Sequence, residues 1–118
     1  MEEKIINGIK YRLDEETLTA EVIRKKGYSG DIVIPETVVN QNVSYKVTCI
    51  DASAFAKCAS LISVAIPNSV TTIGFQAFGG CESLKSITFK GTINQWKEID
   101  CTDEDYVVHC IDGIYDFE

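Results

Sequence analysis

The feature that most restricts the fold is an internal repeat of 23 residues. The segment Ile50-Asp51-Ala52-Ser53-Ala54-Phe55-Ala56-Lys57-Cys58-Ala59-Ser60-Leu61 aligns with Ile73-Gly74-Phe75-Gln76-Ala77-Phe78-Gly79-Gly80-Cys81-Glu82-Ser83-Leu84, so Ile, Ala, Phe, Cys, Ser and Leu recur at one offset. The match continues through Val64/Ile87 and Ile66/Phe89. A period in the twenties means stacked coils, each burying its apolar side only against its neighbours. Within a unit, Leu61-x-x-Val64-x-Ile66 alternates like a strand facing a core, and Pro67 ends it because proline cannot donate to a ladder. Residues 70–73 supply a second short extended piece. Ala77-Phe78-Gly79-Gly80 predicts one tight helical turn ending at glycine. Phe55 and Phe78 are too large for a surface turn and are expected to stack along the core, with the small Ala54 and Ala77 letting the turns approach.

Upstream, Ile32-Val33-Ile34-Pro35-Glu36-Thr37-Val38 resembles Val64-Ala65-Ile66-Pro67-Asn68-Ser69-Val70, but at an offset of 32 residues. The nine extra residues fall near 39–47. There Asn40-Gln41-Asn42 reads as a turn between two short strands, a hairpin inserted into the first coil. An uncapped coil would expose its core and its strand edge. Ile5 to Leu13 and Leu18 to Ile23, joined by Asp14-Glu15-Glu16-Thr17, are therefore expected to form an antiparallel hairpin sealing the front. At the back Trp96 and Ile99, three apart on a short helical turn, are placed to cover the last coil. For Trp96 two readings stand: a lid, or a binding hot spot.

The run Ile66-Pro67-Asn68-Ser69-Val70-Thr71-Thr72-Ile73-Gly74, followed by Ala77-Phe78, Gly80-Cys81 and Ser83-Leu84, resembles the BspA-like leucine-rich repeat of bacterial surface proteins. Gly8-Ile9-Lys10-Tyr11 and Tyr28-Ser29-Gly30-Asp31 look like the leading strands of such arrays. Gly91-Thr92, Gln95-Trp96 and His109-Cys110-Ile111-Asp112-Gly113 look like the closing segment. The resemblance implies an α/β fold: a right-handed, strand-dominated leucine-rich-repeat solenoid with short helical turns and a β-hairpin N-terminal cap. It further implies a secreted or cell-surface protein that binds a protein or glycan. The expected organisation is one domain over 1–118, with capping strands in 1–30, coils in 31–90 and a C-terminal cap in 91–118. At this length there is no room for a second domain.

Charge separates partner classes. Residues 98–118 carry eight Asp or Glu and no Lys or Arg, which is −8 out of a net −7 and leaves +1 for residues 1–97. Without a basic stripe, counterion release cannot drive nucleic-acid binding, so nucleic acid is not an expected partner. No apolar run approaches the ~18 residues needed to span a bilayer, so membrane insertion is not expected either. Met1-Glu2-Glu3-Lys4 does not begin an export signal. Either the protein acts in the cytoplasm or a signal has been removed.

Five cysteines, Cys49, Cys58, Cys81, Cys101 and Cys110, cannot all pair within one chain. Cys58 and Cys81 share a repeat phase and are read as a ladder of reduced, buried thiols in preference to a disulfide. If the protein is exported, the expected bridge is Cys101–Cys110, across a terminal hairpin. His109 is the only histidine, and Cys110 follows it without the spacing of a zinc-ligand pair. The run 100–105 lacks the alternating carboxylates and central glycine of a calcium loop and reads as a solvated acidic loop. Asn42-Val43-Ser44 fits a glycosylation acceptor but signals mainly an exposed turn. With one histidine and no paired-carboxylate or phosphate-loop motif, neither catalysis nor a cofactor is expected. The outward positions of the strand column are Val33, Ala65 and Thr88, with Ser63 and Ser86 beside them. The candidate binding residues are thus Ser63, Ala65, Ser86, Thr88 and Trp96, on a non-catalytic interaction or adhesion module. The alternative is a structural repeat unit, or a fragment of a longer array, with no dedicated ligand.

Overall fold

Short alternating segments become strands, and the repeat period sets which of them are neighbours. A computed structural model describes residues 2–101 and 107–116, the Cys101 side chain excepted. In chain order the elements are β1 (Glu2–Ile6), β2 (Ile9–Asp14), β3 (Thr19–Val22), β4 (Gly30–Val33), β5 (Thr37–Asn40), β6 (Val43–Ile50) and β7 (Leu61–Ile66). They continue with β8 (Thr72–Ile73), β9 (Ser86–Phe89), α1 (Ile93–Lys97), β10 (Asp100–Cys101), β11 (Val108–Cys110) and β12 (Gly113–Tyr115). The first sheet runs β1-β2-β3-β6-β8-β10 with β5 added onto β6, and the second runs β12-β11-β9-β7-β4.

Each coil gives one strand to each sheet: β3 and β4, β6 and β7, β8 and β9, β10 and β11. The pairs between coils are parallel, as a solenoid requires. The sequence offset is also the register, because Ile50 lies opposite Ile73 and Val64 opposite Ile87. The longer offset survives as well, with Ile32 opposite Val64. The extra residues form the β5–β6 hairpin, whose tip residues Gln41 and Asn42 have φ of 51° and 66°, the primed turn that matches strand twist.

Two local expectations need correction. Ile5 to Leu13 is not one strand: Asn7 and Gly8, at φ 50° and 85°, turn the chain so that β1 folds back on β2, and the cap is a three-stranded meander. An Asn-Gly pair favours this turn because both positions accept positive φ. The second correction concerns the turn after each first strand, which is not helical. Ala54, Ala56 and Cys58 donate N–H bonds three residues back, whereas Ser53, Phe55 and Lys57 donate to Phe75, Ala77 and Gly79 of the next coil. The stacking distance thus captures alternate N–H groups that a helix would have used internally. Gly74 marks the tightest approach, since a Cβ there would overlap the Ala52 backbone.

The interior is the repeat phase made solid. Leu13, Ala20, Val22, Val47, Ile50, Phe55, Leu61 and Ile66 are wholly buried. Phe55 and Phe78 stack with centroids 5.4 Å apart and planes 6° from parallel, and Tyr28 lies 4.6 Å from Phe55 on the other side. The Tyr28 hydroxyl donates to the Ile23 carbonyl and accepts from the Lys10 N–H, which satisfies a polar group in an apolar setting. At the back, Thr92 and Gln95 form a reciprocal capping box that starts α1. Trp96, 7% exposed, then meets Phe89 edge-on at 5.4 Å.

Candidate functional site

Strand alternation directs one set of side chains of the second sheet into the core and the other outward. Inward lie Ile32, Val64, Ile87, Val108 and Tyr115, in one continuous row across β4, β7, β9, β11 and β12. The adjoining outward row is Val33, Ala65, Thr88, His109 and Ile114. Its ends are apolar and open, Val33 at 63% and Ile114 at 59% exposure, and its middle is small and half-buried apart from the exposed His109. A parallel row holds Asp31, Ser63 and Ser86, where the Ser63 hydroxyl donates to the Asp31 carboxylate at 2.6 Å. A bulge skips Ile62 in the pairing and leaves it exposed beside these serines.

The fold therefore brings Ser63, Ala65, Ser86 and Thr88 together on one face, as their repeat phase implies. Trp96 is set apart from them, buried against Phe89 in the lid arrangement. Tyr11, Tyr28 and Tyr45, which lie in segments flanking the strand column, are all buried core residues. Sequence reasoning missed His109 and Ile114 as continuations of the strip. They lie off the 23-residue period, and the one local signal was the apolar–polar–apolar order of Val108, His109 and Cys110.

Cys49, Cys58, Cys81 and Cys110 are free thiols. Cys58 is buried at its repeat position, and the half-buried Cys81 donates its S–H to the Phe55 carbonyl at 2.9 Å. Because Cys110 is a free thiol, the expected Cys101–Cys110 bridge is not formed, and the acidic loop expected over 100–105 lies largely outside the described residues. Among the described residues no group of three His, Cys, Asp or Glu side chains is placed to hold a metal ion. His109 stands on the outer face of β11, whereas Cys58 and Cys81 lie in the turn column. On the first sheet, Cys49 neighbours Glu21 and Thr72, and burial, then Glu21 and Asp51, push its thiol up to about 11. The thiolate is the reactive form. Alkylation of native protein at pH 8 should therefore modify Cys49 roughly a hundredfold more slowly than an unperturbed thiol. Mass-spectrometric time courses check this, and equal rates would show that the thiol is not shielded.

The comparison with known proteins settles what the repeat is. A model of the BspA type leucine rich repeat region (6 copies) matches residues 32–99. The chain belongs to the BspA-type leucine-rich-repeat family. Its structure is similar to that of a leucine rich cell surface protein from Faecalibacterium prausnitzii, with 31% identity over 75% of this chain and a TM-score of 0.65. It is also similar to a leucine-rich repeat protein from Bacteroides capillosus, with 27% identity over 75% of this chain and a TM-score of 0.67. A leucine rich repeat protein of T. pallidum shares the fold at 22% identity, 94% coverage of this chain and a TM-score of 0.59. The chain spans 24%, 66% and 55% of these three proteins. No curated protein matches it. Among the described residues no helix is long and apolar enough to cross a membrane.

Proposed function

We propose that this chain is a non-catalytic interaction module of a secreted or cell-surface protein, presenting the outer face of its second sheet to a protein or glycan. The observation that carries this reading is the continuous outward row Val33–Ala65–Thr88–His109–Ile114, flanked by Asp31, Ser63 and Ser86. Small central side chains let a partner approach the sheet closely, while the apolar ends supply the desolvation that drives contact. The strip offers neither Trp, Tyr nor Arg, the residue types that concentrate binding energy. Its single contacts are weak, and useful strength comes from linking or displaying several modules. The surface location rests on the family and on the similarity to the F. prausnitzii cell surface protein. The separation of His109 from Cys58 and Cys81 supports the non-catalytic reading, since a nucleophile needs a base within hydrogen-bond reach.

The test compares monomeric with multivalently displayed protein on host-protein and glycan arrays. Multivalent display should raise the signal at least roughly tenfold, and Thr88→Arg, which puts a bulky charge at the centre of the strip, should abolish it. Tight binding by the monomer, or full binding by Thr88→Arg, overturns the reading. The alternative, a structural repeat segment without its own ligand, draws on the small share of the F. prausnitzii protein that the chain spans. It predicts blank arrays in both formats.

A further inference from the structure

We propose that the open edge of β12 takes an added strand, an extended segment of a protein partner with a basic side chain on either side of an aliphatic one. This deepens the reading of the second sheet as the binding face, because it commits the end of that face to a protein segment. β12 ends the second sheet, and among the described residues only β11 pairs with it. Alternate backbone N–H and C=O groups of an end strand point into open space, where an extended chain can pair with them.

The hairpin that carries this edge is held in place. Ile111 donates its N–H to the Gly91 carbonyl at 2.9 Å, and the Asp112 carboxylate accepts the Ile93 N–H at 2.9 Å. A Cβ on Gly113 would stand 3.3 Å from the Ile93 side chain, so β12 lies close against the start of α1. An edge fixed in this way loses little freedom when a partner pairs with it. On the same hairpin Val107, Ile111 and Ile114 are exposed aliphatic side chains, although Val108 among them is wholly buried. They offer apolar surface that an added strand removes from water.

Charge says which strand fits. The exposed Asp112 and Asp116 bracket β12, one before it and one after, with Ile114 midway between them. A strand laid along this edge gains most from basic, aliphatic and basic side chains at alternate positions, because opposite charges and apolar pairs across strands are favourable. The same carboxylates turn away this chain's own edges. In an antiparallel pair of two β12 strands centred on Ile114, each Asp112 falls opposite the other copy's Asp116. At the far end of the sheet, β4 of a second copy would continue the outer and inner rows with Val33 opposite Ile114 and Ile32 opposite Tyr115. That antiparallel register sets Asp31 opposite Asp116. Like charges directly opposite destabilise a pair, so both forms of self-pairing are disfavoured and the edge is left to a basic partner.

The experiment titrates the full chain with an acetylated and amidated Lys-Thr-Val-Thr-Lys peptide and follows the Ile114 methyl and the Gly113–Tyr115 amide resonances. Saturable shifts are expected, and the Glu-Thr-Val-Thr-Glu peptide should give none. The lysine peptide with N-methylated backbone amides should also give none, because it cannot pair with the edge. Asp116→Lys should reverse the preference between the two charged peptides, and Ile114→Thr should weaken binding of the lysine peptide roughly threefold. Both side chains are exposed, so the fold is retained. Absence of saturable shifts, an equal response to the glutamate or the N-methylated peptide, or an unchanged preference in Asp116→Lys overturns the proposal. Shifts of the same resonances on raising the protein concentration alone overturn it in favour of a second copy. Blank arrays with an intact titration would remove the outer strip alone, and array binding with a failed titration would remove the added strand alone.

Discussion

Phe55→Ala should destabilise the protein by about 3–5 kcal/mol, the cost of truncating a fully enclosed aromatic side chain. The ring is held between Tyr28 at 4.6 Å and Phe78 at 5.4 Å, and the residue has no exposed surface. Two effects add. The transfer free energy of the ring is lost, and the cavity persists because the walls are fixed by backbone bonds from Phe55 to Ala77 and from Lys57 to Gly79. A domain has a total stability of about 5–15 kcal/mol, so this loss is a large part of it. Thr88→Ala, on the outer face, should change stability by no more than about 0.5 kcal/mol. Denaturant titrations of the two variants check the contrast, and two equally small effects would sink the stacked-ring account of the core.

What the sequence revealed and what it concealed divide along a physical line. Stacking makes equivalent residues neighbours, so a repeat offset is a list of contacts. Ile50 opposite Ile73, Val64 opposite Ile87 and the stacked Phe55 and Phe78 were therefore all legible. The change of offset between Ile34 and Ile66 likewise exposed the β5–β6 hairpin. The rest depends on groups related by no period. Whether the equivalent turn around Ala54-Phe55 closes as a helix depends on the next coil, whose Phe75, Ala77 and Gly79 carbonyls take alternate N–H groups. The addition of His109 and Ile114 to the strip depends on a parallel pairing to β9 and an antiparallel one to β12. Asn7-Gly8 is different, because it was a readable turn signal lying inside a stretch that its flanking apolar residues made look like one strand.

Deleting residues 94–118 should abolish the cooperative unfolding transition and leave a chain that aggregates. A solenoid coil is stable only with both faces covered. At the front the β1–β3 meander supplies cover. At the back α1 brings Trp96 over Phe89, β10 extends the first sheet from β8, and β11 extends the second from β9 before β12 turns back antiparallel. The deletion would bare Phe89 and Ile87, now 1% and 3% exposed, together with the outer edges of β8 and β9. Apolar surface beside an unpaired strand edge is the combination that recruits other chains. Loss of this cover should outweigh any relief from removing the acidic side chains, because exposed surface charges contribute little to stability. Light scattering and calorimetry of the truncated protein at micromolar concentration test the argument. A soluble monomer melting at the temperature of the full chain would show that the coils up to β9 close on themselves, and that the terminal segment caps nothing.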